Sequence, residues 1–126
     1  MIEILIVEDN LDIQELMAEA VSYLDCSVDT ASNGDEAMKK VMKKKPDIMI
    51  LDINMPKKNG FEVLRTLKGR KTTQDVYVIV FTVRSRAKDV KMGYDLGADV
   101  YFDKPRDVIP EVKKAIELIK ARKENS

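Results

Sequence analysis

The sequence predicts an α/β fold: a doubly wound, five-stranded parallel sheet with helices on both faces. Three observations predict it. Short strand-like runs recur five times, most of them near-continuously apolar as parallel strands covered on both faces are. Amphipathic stretches separate them, as the right-handed crossovers between parallel strands require. The chain has 126 residues, which suits one domain spanning 1–126, large enough to remove roughly two-thirds of its unfolded surface from water.

The first strand is Ile2 to Val7, a near-continuous apolar run. Asn10 is the N-cap of a helix whose apolar face is Ile13, Leu16, Met17, Ala20, Val21 and Leu24, with Asp12 and Glu15 early, where the helix dipole favours acids. Ser27 to Ala31 is a weak second strand. The Asn33-Gly34 turn then opens a helix with apolar face Ala37, Met38, Val41 and Met42, stopped near Pro46.

Asp47 to Leu51 is the third strand, Phe61, Leu64 and Leu67 mark a short helix, and Val76 to Phe81 is the fourth strand. The next helix runs from about Ser85 to Leu96 with Gly97 at its end, although Gly93 inside it costs roughly 1 kcal/mol against alanine. Val100 to Phe102 makes the fifth strand. Val108, Val112, Ala115, Ile116 and Ile119 give a last amphipathic helix with Pro110 in its first turn, and the tail ARKENS reads as frayed.

Composition narrows the function. Lys and Arg number 22 against 22 Asp and Glu, so no net field favours nucleic acid or an anionic membrane as a partner. Cys26 is the only cysteine and histidine is absent, which excludes an intrachain disulfide and the usual zinc ligand sets. The first residues, MIEILIVEDN, match neither a signal peptide nor a membrane span. A cytoplasmic setting is expected.

In such a sheet, ligands bind beyond the carboxyl ends of the strands. Glu8 and Asp9 follow the first strand, Asp52 the third, Thr82 the fourth and Lys104 the fifth. Each alone could be an ordinary loop acid, capping hydroxyl or solvated lysine. Together they form one cluster, in which carboxylates about 4 Å apart repel by several kcal/mol. Such a cluster wants a cation. All-oxygen ligands suit a hard ion, and Mg2+ fits, with Mn2+ as a substitute. Cations flanking one carboxylate let it meet an incoming anion, and phosphoryl transfer follows. Asp52 is then the nucleophile, forming an acyl phosphate while Lys104 neutralises charge and Thr82 donates a hydrogen bond.

At this point the chain resembles, over essentially its whole length, the receiver domains of two-component response regulators. The resemblance rests on Glu8-Asp9 in LIVEDN, Asp52 in DINMPKKNG, Thr82 in VFTV and Lys104-Pro105 in YFDKP. It implies the flavodoxin-like strand order 2-1-3-4-5. It implies that a histidine kinase or histidine phosphotransfer protein phosphorylates Asp52, with Asp9, Asp52 and the Asn54 carbonyl on Mg2+ and Glu8 acting through water. It also implies a switch in which phosphorylated Asp52 draws in Thr82 and Tyr101 turns inward, where the residues alone say only that Tyr101 packs its ring and wets its hydroxyl. A cis bond between Lys104 and Pro105 is implied as well.

The chain departs from the family at Val83, where a small residue is usual and the branched side chain is expected to narrow the pocket, and at Arg106, where an aromatic is frequent. The expected protein is a phosphoacceptor, not an enzyme, that assists its own phosphorylation and dephosphorylation. It takes no organic cofactor, acts on an unknown downstream protein target, and is a monomer that phosphorylation can bring into dimers. It reads as a stand-alone regulator, the alternative being a domain cut from a longer one. A phosphatase of the haloacid dehalogenase type needs a second acid two residues beyond the nucleophile, and here that residue is Asn54. An FMN-binding module needs a hydroxyl- and amide-rich loop where Glu8 and Asp9 would repel phosphate. Lys39, Lys40, Lys43, Lys44 and Lys45 read as a solvated helix face, and Met17, Met38, Met42 and Met49 as core filler.

Overall fold

The computed structural model describes residues 1–55, 59–104 and 106–125. The cis bond expected before Pro105 depends on a residue outside these. Five strands alternate with five helices: β1 Glu3–Val7, α1 Leu11–Ser22, β2 Ser27–Ala31, α2 Gly34–Lys43, β3 Ile48–Leu51, α3 Gly60–Lys68, β4 Tyr77–Thr82, α4 Ala87–Asp95, β5 Val100–Asp103 and α5 Ile109–Glu124. All strand pairs are parallel, in the order β2-β1-β3-β4-β5.

The two-residue period of a strand divides the core into two layers. Ile4, Ile6, Ile48, Ile50 and Ile79 pack with Val21 of α1 and with Val112, Ala115 and Ile116 of α5. Leu5, Val7, Met49, Leu51, Val78 and Val80 face the other way, onto Ala37 and Val41 of α2 and Val63, Leu64 and Leu67 of α3. Burial on both faces explains why these strands read as unbroken apolar runs.

Asparagine side chains start three helices. Asn10, Asn33 and Asn59 accept from the backbone N–H groups of Ile13, Glu36 and Glu62, each satisfying a donor that the helix cannot. At the opposite pole from these caps, acids play a matching role for the sheet. Asp47 accepts from the N–H of Glu3 at 2.8 Å, and Asp99 from the N–H of Val78 at 2.8 Å. Gly97 follows α4 with φ at 105°, a left-handed position that suits glycine.

Three helical expectations need correction. The apolar stripe of α1 is largely uncovered: Val21 is its only buried residue, and Leu16 is 66% exposed. Met42 is likewise exposed and is not core filler. The tail does not fray at Ala121, because α5 continues to Glu124 through residues that are strong helix formers. The lysine cluster is also more specific than a solvated face. Lys40, Lys44 and Lys45 pair with Asp29, Glu3 and Asp75.

Candidate metal and phosphoacceptor site

The polar residues after the strands remain in the sheet's hydrogen-bond ladder. Glu8 donates its N–H to the Ala31 carbonyl at 3.0 Å, Asp52 to that of Val7 at 3.1 Å, and Lys104 to that of Thr82 at 2.9 Å. Each is the first residue past a strand, yet its backbone is as fixed as the strand itself. The sheet therefore delivers their side chains to one edge with little freedom.

Glu8, Asp9 and Asp52 each place a carboxylate oxygen within 4.8 Å of the others. Glu8 and Asp52 are buried and Asp9 is exposed. Lys104 bridges the two buried acids: its ammonium bonds Glu8 Oε1 and lies 3.1 Å from Asp52 Oδ2. The same ammonium sits 5.5 Å from the centroid of Phe81, which shields it from water on one side. Asp52 Oδ1 accepts from the N–H of Asn54 at 3.0 Å. Asn54 itself is exposed.

Burial raises the pKa of Glu8, an effect that its bonds from Lys104 and Asn10 oppose without cancelling. Burial alone would lower the pKa of Lys104, but the Glu8 and Asp52 carboxylates outweigh it and hold the ammonium protonated. Two buried acids against one cation leave negative charge uncompensated, and Asp9 adds more. Its carboxylate takes no hydrogen bond or ion pair among the described residues. Hard oxygen donors, surplus negative charge and one unengaged carboxylate fit a magnesium-type ion.

Thr82 is fully buried, and its Oγ1 accepts from the N–H of Arg84 at 3.2 Å. That bond occupies the acceptor side of the hydroxyl, so its O–H is left to donate. Tyr101 is half-buried: its hydroxyl donates to the Arg84 carbonyl and its backbone N–H to the Tyr94 hydroxyl at 3.1 Å. The ring packs against the core while the hydroxyl's bond lies at the exposed side, as the residue alone leads one to expect. Burial, then the charge of Asp89, pushes its pKa up to about 12.

Sequence reasoning missed two residues here, Asp89 and Gln14. Arg84 donates from Nε to buried Asp89 at 3.0 Å and stands 5.3 Å over the ring of Phe61, so its backbone and side chain join β4, α3, α4 and Tyr101. Asp89 carried no signal beyond an acid in a helix's first turn. Gln14, an ordinary polar residue on α1, donates to three oxygens at the ends of β1 and β2. Of the two departures from the family, Val83 is 64% exposed. Arg106 stacks 4.2 Å over Phe102 in place of the expected aromatic.

A family model of the response regulator receiver domain matches residues 4–117. The response regulator MprA of Mycobacterium tuberculosis (strain ATCC 25177 / H37Ra) is 36% identical over 104 residues, which cover 82% of this chain and 44% of MprA. The chain thus spans less than half the length of the curated relatives it matches. Among solved structures, the BeF3-activated receiver domain of DrrB superimposes with a TM-score of 0.84 at 28% identity, covering 93% of this chain and 98% of that one. A CheY-like receiver domain protein from Methanospirillum hungatei JF-1 shares the fold, with a TM-score of 0.88 at 21% identity over 100% of this chain and 99% of that one.

Proposed function

The chain belongs to the response regulator receiver domain family of two-component signalling, and from that premise we propose that residues 1–126 form one receiver that accepts a phosphoryl group on Asp52. The observation that carries this reading is the position of the Asp52 carboxylate, 3.1 Å from the Lys104 ammonium and within 4.8 Å of two further acids at the carboxyl edge of the sheet.

The donor is a phosphohistidine on a histidine kinase or a histidine phosphotransfer protein. One oxygen of Asp52 attacks phosphorus, the N–P bond breaks, and its electron pair stays on the imidazole nitrogen, which takes a proton. Lys104 neutralises the equatorial oxygens, and Glu8 keeps its ammonium aimed at the crevice. The Thr82 hydroxyl donates to a phosphoryl oxygen. Asp9, Asp52 and the Asn54 carbonyl, with Glu8 beside them, would hold Mg2+ or Mn2+, which would supply the remaining positive charge.

Phosphorylation is read out where Thr82, Arg84 and Tyr101 meet, since these residues tie the crevice to α4 and β5. A downstream protein target, and phosphorylation-dependent dimerisation, would use that surface. The protein is a phosphoacceptor that assists its own phosphorylation and dephosphorylation rather than an enzyme that turns over a separate substrate. None of the helices among the described residues is long and apolar enough to cross a membrane, and we place the protein in the cytoplasm beside its kinase.

The test is incubation with acetyl phosphate or a phosphorylated histidine protein, with Mg2+ and with chelator. A hydroxylamine-sensitive phosphate that forms only with the metal is expected. Equal labelling in chelator would count against the reading.

A further inference from the structure

The loop that carries Asp9 is fastened on both sides of it. On one side, Glu8 donates its N–H to the Ala31 carbonyl at 3.0 Å, and its own carbonyl accepts from Gln14 Nε2 at 2.9 Å. On the other, Asn10 donates its N–H to Glu8 Oε2 at 3.1 Å and accepts at Oδ1 from the N–H of Ile13 at 3.1 Å. Asp9 is exposed between these anchors and its carboxylate has no partner of its own among the described residues. Where that carboxylate stands is set by its neighbours' bonds.

Gln14 is the anchor that joins the loop to a second strand. Its two amide N–H groups are shared among three oxygens: the Glu8 carbonyl, the Ala31 carbonyl at 3.2 Å and Ser32 Oγ at 3.3 Å. Ser32 is in turn held by its N–H, which donates to Glu36 Oε1 at 2.7 Å. One primary amide therefore links the end of β1, the end of β2 and, through Ser32, the first turn of α2. A side chain of this length needs N–H donors to do so, because the two carbonyl partners can only accept.

We propose that Gln14 is a positioning residue for the divalent cation of the acid cluster, holding the Glu8-Asp9 loop so that the Asp9 carboxylate meets the ion. This rests on the receiver reading above. Magnesium tolerates little departure from octahedral geometry, so a ligand displaced by a relaxed loop binds it more weakly.

The test is titration of Mg2+ by calorimetry into wild type, Gln14→Met and Thr73→Val. Gln14→Met keeps the side-chain length and removes the donors. Thr73→Val serves as the structural control, because it removes a buried hydrogen bond to the Leu67 carbonyl at the far end of α3. Melting temperatures of the metal-free proteins are taken alongside. The expected result is a Mg2+ dissociation constant about tenfold higher for Gln14→Met, with Thr73→Val binding as wild type despite a lowered melting temperature. If Gln14→Met binds as wild type, or if both variants weaken equally, the positioning role is overturned while the receiver reading stands. If wild type binds no Mg2+, the metal reading of the cluster fails, and the role of Gln14 falls with it.

Discussion

The ring of Tyr101 occupies the space that a side chain at Gly93 would need: a Cβ there would lie 2.5 Å from Tyr101 Cδ2. Gly93 is buried within α4, and its missing side chain lets the tyrosine ring pack against the helix with its hydroxyl on the Arg84 carbonyl. A glycine that weakens its helix is thereby explained by its neighbour on β5.

Gly93→Ala should therefore expel the ring and destabilise the fold by about 1–3 kcal/mol, as overpacking does. In a Tyr101→Ala background the same change should instead stabilise by about 0.5–1 kcal/mol, because only the helix propensity of alanine remains. Denaturant unfolding of the four proteins in this cycle measures the sign reversal. No reversal would mean that the two residues do not compete for space.

Gly60 makes a harder contact. A Cβ there would come within 2.5 Å of the Asp52 carbonyl oxygen and 2.6 Å of Ile53 Cα, and backbone atoms cannot swing away. Gly60→Ala should cost about 1–3 kcal/mol and lower the rate of phosphate uptake, since the strain falls on the residue that carries the nucleophile. Urea unfolding and an acetyl phosphate time course check the two effects.

Asp9→Asn removes one of three crowded acids. The metal-free variant should melt at a higher temperature than wild type, while its Mg2+ affinity falls by roughly tenfold or more. Calorimetric titration and thermal melting in chelator are sufficient. A lower metal-free melting temperature would contradict mutual repulsion in the cluster.

Tyr101 sets an alkaline dependence. Its folded pKa is pushed up to about 12, above the ordinary tyrosine value, so the folded state keeps a proton that the unfolded chain releases. That contribution is complete below about pH 10 and is lost as pH rises toward 12. The stability of wild type should fall more steeply across this window than that of Tyr101→Phe, measured by urea unfolding at stepped pH.

The strands and the acid cluster were legible in the sequence for one reason. Strands buried on both faces are uninterrupted apolar runs, so a carboxylate such as Asp52 directly after Leu51 stands out and marks the functional edge. Periodicity could not say whether a helical stripe is covered. The exposed Leu16 and Met42 obey the same spacing as buried Val21 and Val41. Nor could it reveal Gln14 or Asp89, whose roles depend on partners in other elements. Gly93 was visible as an anomaly, but its cause lay on β5.

If Asp52 receives the phosphoryl group, chemical trapping of the adduct will locate it there. Wild type and Asp52→Asn are treated with acetyl phosphate and Mg2+, reduced with borohydride to trap the acyl phosphate, digested and sequenced by mass spectrometry. Modification is expected at Asp52 in wild type and at no residue of the variant. Modification at another residue, or equal phosphate uptake by Asp52→Asn, would contradict it.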